Sequence, residues 1–296
     1  MATTTGPVDP GLSSEDDVVT FVTTLRHPDN TDDYPRVIEL LEATLRSLDN
    51  QQDRRCRVLV VANRDYTPPR DLSIPVHTLT VDFPPPADHL EVGARRQAGV
   101  RLDRGSKHAV AMAVIPAGYV AYVDADDALS SRFVGHVLGS PERAGWFVDE
   151  GYRYDVRTGL VAEQPDFNTK CGSSLVFRRD RLGRPDVLLG ATREELLEAW
   201  GDDVLRNELG SHRSLRERLS LEAVPFRAAF YCVNNGQNVS KKGAVGGGRP
   251  LPRSLAAEFG IQRLPLPHML SWKLRVEAAR AGRVLRRRLS TVRGGL

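Results

Sequence analysis

Two apolar strands joined by an amphipathic helix open the chain, and this pattern restricts the fold more than any other feature. Residues 17–25 form a run rich in Val and Thr that predicts a buried strand. After Pro35, apolar residues recur at helical spacing and predict a helix that ends near residue 47. Residues 57–62 form a second apolar run. A β-α-β unit implies a parallel sheet, so we predict an α/β fold with a mostly parallel, Rossmann-like sheet flanked by helices.

A cluster of carboxylates follows the apolar run at residues 119–123. Asp124, Asp126 and Asp127 place concentrated negative charge at the carboxyl end of this predicted strand. Ligands of open α/β sheets bind at that end, so a divalent cation carrying a phosphorylated ligand would neutralise the charge. The alternative is an Asp-rich turn in which Asp127 caps the next helix. The pattern alone leaves both interpretations open.

Composition narrows the classes of partner. The chain has 296 residues, of which 41% are hydrophobic, and this predicts an ordinary core. Three widely spaced cysteines, Cys56, Cys171 and Cys232, indicate neither a disulfide framework nor a zinc site. The formal net charge is +3, but residues 273–296 alone carry eight basic side chains and one acidic one. The rest of the chain is therefore mildly acidic, which argues against nucleic acid as its principal ligand.

The two ends of the chain are predicted to differ from its body. Residues 1–16 are polar and acidic, which predicts a disordered lead-in rather than a secretory signal, and hence a cytoplasmic protein. The most apolar stretch, residues 109–123, is shorter than the ~20 residues of a membrane-spanning helix. Residues 268–296 place apolar side chains at helical spacing among arginines. We predict a basic amphipathic helix there, which either lies at the inner face of an anionic membrane or packs on protein.

The segment at residues 119–127 also carries a family resemblance. The chain lacks the phosphate-binding patterns GxGxxG and GxxxxGK[ST], so metal is the expected phosphate holder. Tyr-Val-Ala-Tyr-Val-Asp-Ala-Asp-Asp, preceded by an Ala/Arg/Gly helix and the β-α-β opening, resembles the GT-A fold glycosyltransferases of the inverting family 2. The resemblance covers residues 17–240 and implies a GT-A domain there. A Gly/Pro-rich loop region at residues 241–267 and the basic helix would follow.

The resemblance implies a metal-bridged donor site. In such enzymes the DxD carboxylates help to hold Mn²⁺ or Mg²⁺, which bridges the two phosphates of a nucleotide-sugar donor. By correspondence, Asp126 is the principal metal ligand, and Asp124 lies near the ribose and the metal. The other positions that the resemblance assigns to donor binding are Thr24, Arg26, Asp65, Asp103 and Lys107. The alternatives are a solvated loop for Arg26 and Asp65, and an exposed i,i+4 pair for Asp103 and Lys107.

The resemblance also implies a catalytic base. An inverting transfer needs a group that removes the proton of the attacking hydroxyl, and Asp203, with Asp202 as second choice, is in the matching place. The alternative is that both carboxylates begin a helix at residues 204–209 and interact with its dipole. His212 is a candidate metal ligand, because the Asn-His-Ser tripeptide of several relatives has Val239 at its His position here.

The implied function is metal-dependent transfer of a hexosyl group from a nucleoside-diphosphate donor to a hydroxyl of a glycan or glycolipid, as in polysaccharide biosynthesis. A sugar nucleotidyltransferase is a second class, but it normally has a Gly-rich basic loop after the first strand, where this chain has Thr-Leu-Arg-His-Pro. A non-catalytic nucleotide-sugar-binding module is a third class. Two departures from the family pattern favour that third class: Val239, and the sequence Asn-Arg-Asp at residues 63–65, where the family commonly has Asp-Asp-Gly-Ser.

Overall fold

Two β-sheets and flanking helices make up the fold. The computed structural model describes residues 10–86, 93–183, 189–211, 214–238, 245 and 247–264. The strands are β1 (Val19–Thr24), β2 (Cys56–Ala62), β3 (Val76–Thr80), β4 (Tyr119–Tyr122), β5 (Ala128–Leu129), β6 (Gly145–Phe147), β7 (Gly151–Asp155), β8 (Leu160–Gln164), β9 (Leu175–Arg178), β10 (Glu222–Ala223), β11 (Ala229–Val233) and β12 (Arg249–Pro250). The helices are α1 (Tyr34–Asp49), α2 (Ala94–Val114), α3 (Phe133–Leu138), α4 (Arg193–Trp200), the π-helix Val204–Leu209, α5 (Ser214–Arg218) and α6 (Arg253–Glu258), with 3-10 turns at Pro28–Asn30, Phe167–Thr169 and Arg179–Leu182.

The larger sheet has seven strands in the order β10-β6-β9-β4-β1-β2-β3. β1 lies between β2 and β4 and pairs in parallel with both, so that Val19 is opposite Cys56 on one side and Tyr119 on the other. β9 is antiparallel to its neighbours β4 and β6. The mostly parallel sheet confirms the predicted fold class. It brings the carboxyl ends of β1 and β4 side by side.

The smaller sheet has five strands in the order β12-β8-β7-β11-β5. β5 follows the carboxylates directly and pairs antiparallel with β11, with Leu129 opposite Ala229. β11 in turn is parallel to β7. Because β11 is antiparallel to β5, the loop after β11 lies next to the carboxyl end of β4.

The core lies on both faces of the larger sheet because side chains along a strand alternate between faces. Val19 and Phe21 of β1 share a buried cluster with Leu41 of α1. Val22 shares a second buried cluster with Ala109 and other residues of α2. The helices α1 and α2 therefore cover opposite faces, as the β-α-β pattern predicts.

Helix α1 begins at a side-chain cap. The Asp33 carboxylate accepts a hydrogen bond from the Arg36 amide at 3.0 Å, and Pro35 occupies the first turn, where a missing amide proton costs nothing. Leu41, Leu45 and Leu48 form its buried face.

Apolar residues at positions 196, 197, 200 and 205 predict one helix over residues 193–207, but a break after Trp200 divides this segment. Gly201 has φ of 80°, a left-handed conformation that ends α4, and a π-helix follows. The π-helix packs on α2 through glycine, because a Cβ at Gly105 would overlap the Leu205 carbonyl. A Cβ at Gly210 would likewise overlap the Arg101 carbonyl. Close packing of these backbones thus requires glycine at both positions.

The segments at the two ends of the domain are more structured than the sequence predicts. Residues 10–16, the described part of the predicted lead-in, lie against the sheet, because the Arg57 guanidinium donates to the Ser13 hydroxyl at 2.9 Å and to its carbonyl. In the predicted loop region, α6 packs its Leu255 into a cluster with Phe230 of β11. The predicted helix at residues 268–296 lies outside the described residues. Within the described part of the chain, no helix has the length and apolarity needed to cross a membrane.

Candidate functional site

A cavity of about 390 Å³ opens at the carboxyl ends of β1 and β4. Its walls come from the end of β1, the carboxylates after β4, helices α1 and α2, and the loop after β11. This volume falls within the range of small-molecule sites. The cavity is therefore where the topology of an open α/β sheet predicts a ligand.

Asp126 lines this cavity and is held by two asparagines. Its Oδ2 accepts hydrogen bonds from Asn235 Nδ2 at 2.6 Å and Asn238 Nδ2 at 3.1 Å. The Asn235 amide is oriented because its oxygen accepts from the backbone amides of Gln237 and Asn238. Burial, reinforced by the Asp124 charge, raises the pKa of Asp126 to about 6. The carboxylate thus lies where added positive charge would stabilise it.

The loop 234–238 also contacts the end of β1. Arg26 donates to the Gln237 side chain at 3.0 Å and to its carbonyl at 2.6 Å. Thr31 donates to the same Gln237 side-chain oxygen at 3.0 Å. Asn234 begins the loop with φ of 61°, and its amide donates to Asp155. This loop joins the two sheets across the cavity.

Asp124 faces the cavity in an ion pair with Arg104 of α2. Its backbone amide donates to the Ser173 hydroxyl at 2.8 Å. Gly172 lies directly beside the pair, because a Cβ there would stand 2.6 Å from Asp124 Oδ2 and from Arg104 Nη1. The small turn after Cys171 therefore admits the guanidinium.

Asp127 has a different role from its two neighbours. It is buried, and its carboxylate accepts from the Cys232 amide at 3.0 Å, the Ser173 hydroxyl at 2.6 Å and the Cys171 thiol at 2.9 Å. Burial, together with the charges of Asp126 and Asp124, raises its pKa well above the usual range. The side chain ties β11 to the turn at residues 171–174 and caps no helix, in contrast to one of the sequence interpretations.

Two groups of acidic side chains can be tested for fit to a divalent cation. Asp124, Asp127 and Cys171 offer ligand atoms within 4.8 Å of one another. The Cys171 thiol donates to the Asp127 carboxylate at 2.9 Å, and burial raises the pKa of the thiol, which disfavours the thiolate that a metal ligand requires. Asp124 and Asp126 both line the cavity and offer only oxygen, the atom that Mg²⁺ and Mn²⁺ prefer. These two carboxylates fit such a cation.

A wall of arginines faces the carboxylates. Arg96, Arg101 and Arg104 of α2 line the cavity, and Arg26 joins them from the segment after β1. Guanidinium groups bind phosphate in a bidentate manner, so the wall suits an anionic ligand. The sequence contained a signal for this wall, since Arg101 and Arg104 are three positions apart on a helix and therefore neighbours on its surface, but the prediction named only Arg26.

Asp103 and Lys107 form a buried ion pair rather than the exposed pair that was the alternative to donor binding. The Lys107 ammonium, with a fully buried side chain, donates at 2.7 Å to Asp103 and at 2.7 Å to the Leu25 carbonyl. Asp103 also accepts from Arg193 at 2.8 Å. Asp103 and Leu25 line the cavity, whereas Lys107 lies behind them and does not line it. The group fixes the end of β1 to α2.

The remaining predicted site residues are divided between the cavity and the surface. Thr24 lines the cavity. Asp65 is exposed, accepts from the Thr80 hydroxyl at 2.9 Å and does not line the cavity. Asp202 and Asp203 are exposed at the start of the π-helix, where they accept from Arg206 and Asn207 at 2.7 Å and do not line the cavity. His212 and Val239 lie outside the described residues.

Neither a known family model nor a curated protein matches the chain. Among solved structures, one similar chain is a provisionally named nucleotide-diphospho-sugar transferase from Desulfovibrio desulfuricans G20, with 11% sequence identity and a TM-score of 0.28. The match covers 74% of this chain and 80% of that chain. A similarity at this level carries no argument about function, which therefore rests on the residues of the cavity.

Proposed function

We propose that the protein is a glycosyltransferase that binds a nucleoside-diphosphate sugar with Mn²⁺ or Mg²⁺ and transfers the sugar, with inversion, to a hydroxyl of a glycan or glycolipid. The observation that carries the proposal is the cavity at the end of β4, where Asp124 and Asp126 face a wall of arginines. Carboxylates and guanidiniums together suit a ligand that is bound as a cation–diphosphate complex.

The residues have distinct proposed roles. Asp126 and Asp124 would hold the cation, which when bound would neutralise charge on the departing diphosphate. Arg26 and the arginines of α2 would contact the phosphates, and Thr24 the nucleotide. Asn235 and Asn238 keep the Asp126 carboxylate in a fixed orientation through their hydrogen bonds. Preorganised ligands of this kind lower the cost of binding the cation.

Asp203 is the proposed base, with Asp202 as the alternative. Support for this role comes from the family resemblance. The cavity adds nothing to it, because both side chains lie outside the cavity wall. A base must come within hydrogen-bond reach of the attacking hydroxyl. The acceptor would therefore have to extend from the cavity to the start of the π-helix.

Thermal unfolding with UDP and GDP, in Mn²⁺ or in EDTA, tests the donor site. We expect a larger rise in melting temperature with Mn²⁺. A ligand at about 100 times its Kd adds about 2.7 kcal/mol, or roughly 5–10 °C for a domain of this size. Asp126→Asn should lose the part of the rise that depends on Mn²⁺. Equal shifts in Mn²⁺ and EDTA for the wild type would refute the cation-dependent site.

Asp71→Asn is the matched control for this experiment. Asp71 is an exposed carboxylate paired with Arg46, away from the cavity, so the same chemical change there should leave the ligand-induced shift unaltered. If Asp126→Asn keeps the full shift that Mn²⁺ produces, Asp126 is not a ligand of the cation.

A non-catalytic nucleotide-sugar-binding module is the second candidate, and one observation favours it. Each carboxylate that lines the cavity, among the described residues, already has a partner: Asp103 pairs with Lys107, Asp124 with Arg104, and Asp126 with the two asparagines. No unpaired carboxylate therefore faces the cavity from that part of the chain. Release of nucleoside diphosphate from a panel of nucleotide sugars distinguishes the enzyme from the module.

A further inference from the structure

The ion pair between Arg104 and Asp124 occupies the two groups that the proposed function needs most. Asp124 is a proposed ligand of the cation, and Arg104 belongs to the arginine wall. The Asp124 side chain is 31% exposed and the Arg104 side chain 21%, so the pair is accessible to ligands in the cavity. While the pair is intact, the guanidinium neutralises the carboxylate that a cation would contact.

We propose that Arg104 is a phosphate-binding residue that Asp124 holds until a divalent cation binds. This inference rests on the proposed function. A divalent cation at Asp124 and Asp126 would repel the guanidinium and replace it as the partner of Asp124. The released guanidinium would remain in the cavity wall on α2, where the diphosphate of the ligand is the next anion within its reach.

Two features of the described structure support the exchange. The Arg104 Nε is buried without a hydrogen-bond partner in the present arrangement, so the guanidinium is incompletely satisfied on Asp124. Unpaired buried donors are costly, and a phosphate could accept from this one. Gly172 leaves the space that the guanidinium occupies beside Asp124, because a Cβ would overlap both groups.

The exchange predicts that one substitution shifts two affinities in opposite directions. Arg104→Gln removes the competitor for Asp124, so the protein should bind Mn²⁺ alone about three- to tenfold more tightly. The same variant loses a charged phosphate contact and should bind UDP or GDP in Mn²⁺ at least about tenfold more weakly. A residue with a purely structural role would weaken both affinities, and a residue that binds only phosphate would leave Mn²⁺ binding unchanged.

Electron paramagnetic resonance of free Mn²⁺ and calorimetry with UDP and GDP measure the two affinities. Arg101→Gln is the matched control, because Arg101 lies on the same helix, lines the same cavity and has no acidic partner among the described residues. It removes the same charge and should tighten Mn²⁺ binding by less than about twofold, since it acts only through screened long-range charge. Arg104→Lys keeps the charge and should fall between wild type and Arg104→Gln.

The outcomes separate this inference from the proposed function. Wild type that binds neither Mn²⁺ nor the nucleotides would overturn both. Wild type that binds both ligands, with a folded Arg104→Gln variant whose Mn²⁺ affinity is unchanged or lower, would overturn the exchange alone. Equal tightening by Arg101→Gln and Arg104→Gln would also overturn it, because the effect would then be one of total charge. Opposite shifts confined to Arg104→Gln would establish the exchange.

Discussion

Replacement of Lys107 by Met tests whether this residue stabilises the fold or binds a ligand. Its ammonium is enclosed between Asp103 and the Leu25 carbonyl, and Met fills similar space without charge. Breaking a buried pair costs about 3–5 kcal/mol. Arg193 remains as a partner for Asp103, which favours the lower end, about 3 kcal/mol.

Urea unfolding is the appropriate assay for this substitution. A loss of about 3 kcal/mol is a large part of the 5–15 kcal/mol that stabilises a typical domain, and it corresponds to a drop of roughly 6–12 °C in melting temperature. Arg46→Met is the matched control, because Arg46 and Asp71 form an exposed pair and its loss should leave stability unchanged within error. The Lys107→Met, Asp103→Asn double variant should lose less than the sum of the single variants, since the two groups interact directly.

The opposite result would restore the interpretation of Lys107 as a donor-binding residue. If Lys107→Met retains wild-type stability but binds UDP and GDP more weakly, its ammonium contacts ligand rather than β1. Additive losses in the double variant would also refute a direct coupling between the two charges.

Four further predictions concern other parts of the chain. Burial lowers the pKa of His108 to about 3, so between about pH 6.5 and 3 the unfolded chain binds more protons than the folded one, and the free energy of unfolding falls as the pH drops. Wild type should therefore lose about 2 kcal/mol of this free energy between pH 7 and 5 through His108 alone. His108→Gln should remove that part of the loss, as urea unfolding at the two pH values would show. Gly172→Ala should displace the Arg104 guanidinium and weaken binding of UDP in Mn²⁺, as calorimetry would show, whereas an unchanged Kd would mean that the turn adjusts freely. Asp203→Asn should reduce turnover at least ~10²-fold with little change in donor affinity, and the same loss at Asp202 instead would move the base by one residue. The intact chain should co-sediment with anionic vesicles in low salt and truncation before residue 268 should abolish this, whereas equal sedimentation of both would exclude the tail.

Local patterns in the sequence predicted the elements that position the site. Helix α2 spans Ala94–Val114, where the sequence predicts an Ala/Arg/Gly helix before the carboxylates, because its Ala, Val and basic residues favour helix despite two glycines. Asp124 and Asp126 follow a buried strand and face a cavity, as the charge after an apolar run implies. The single predicted helix at residues 193–207 was wrong, since the left-handed conformation of Gly201 ended it.

Contacts between distant residues could not be predicted in the same way. Asn235 and Asn238 reach Asp126 across 109 and 112 positions, and no local period encodes such a pairing. Lys107 had the spacing of a surface pair, but its burial depends on where β1 lies. The base assignment at Asp203 stays a prediction, because an exposed position at the start of the π-helix leaves its reach to an acceptor untested.

The bond between Arg26 and Gln237 has a consequence for how the protein folds. It joins residues 211 positions apart, in the segment after the first strand of one sheet and in the loop after β11 of the other. Contacts that close such a span carry a large loop entropy and form late, so we expect the cavity to be absent from the transition state for folding. A ligand that binds there should slow unfolding and leave the rate of folding unchanged. Bound nucleotide would then stabilise the folded protein against unfolding without accelerating its folding.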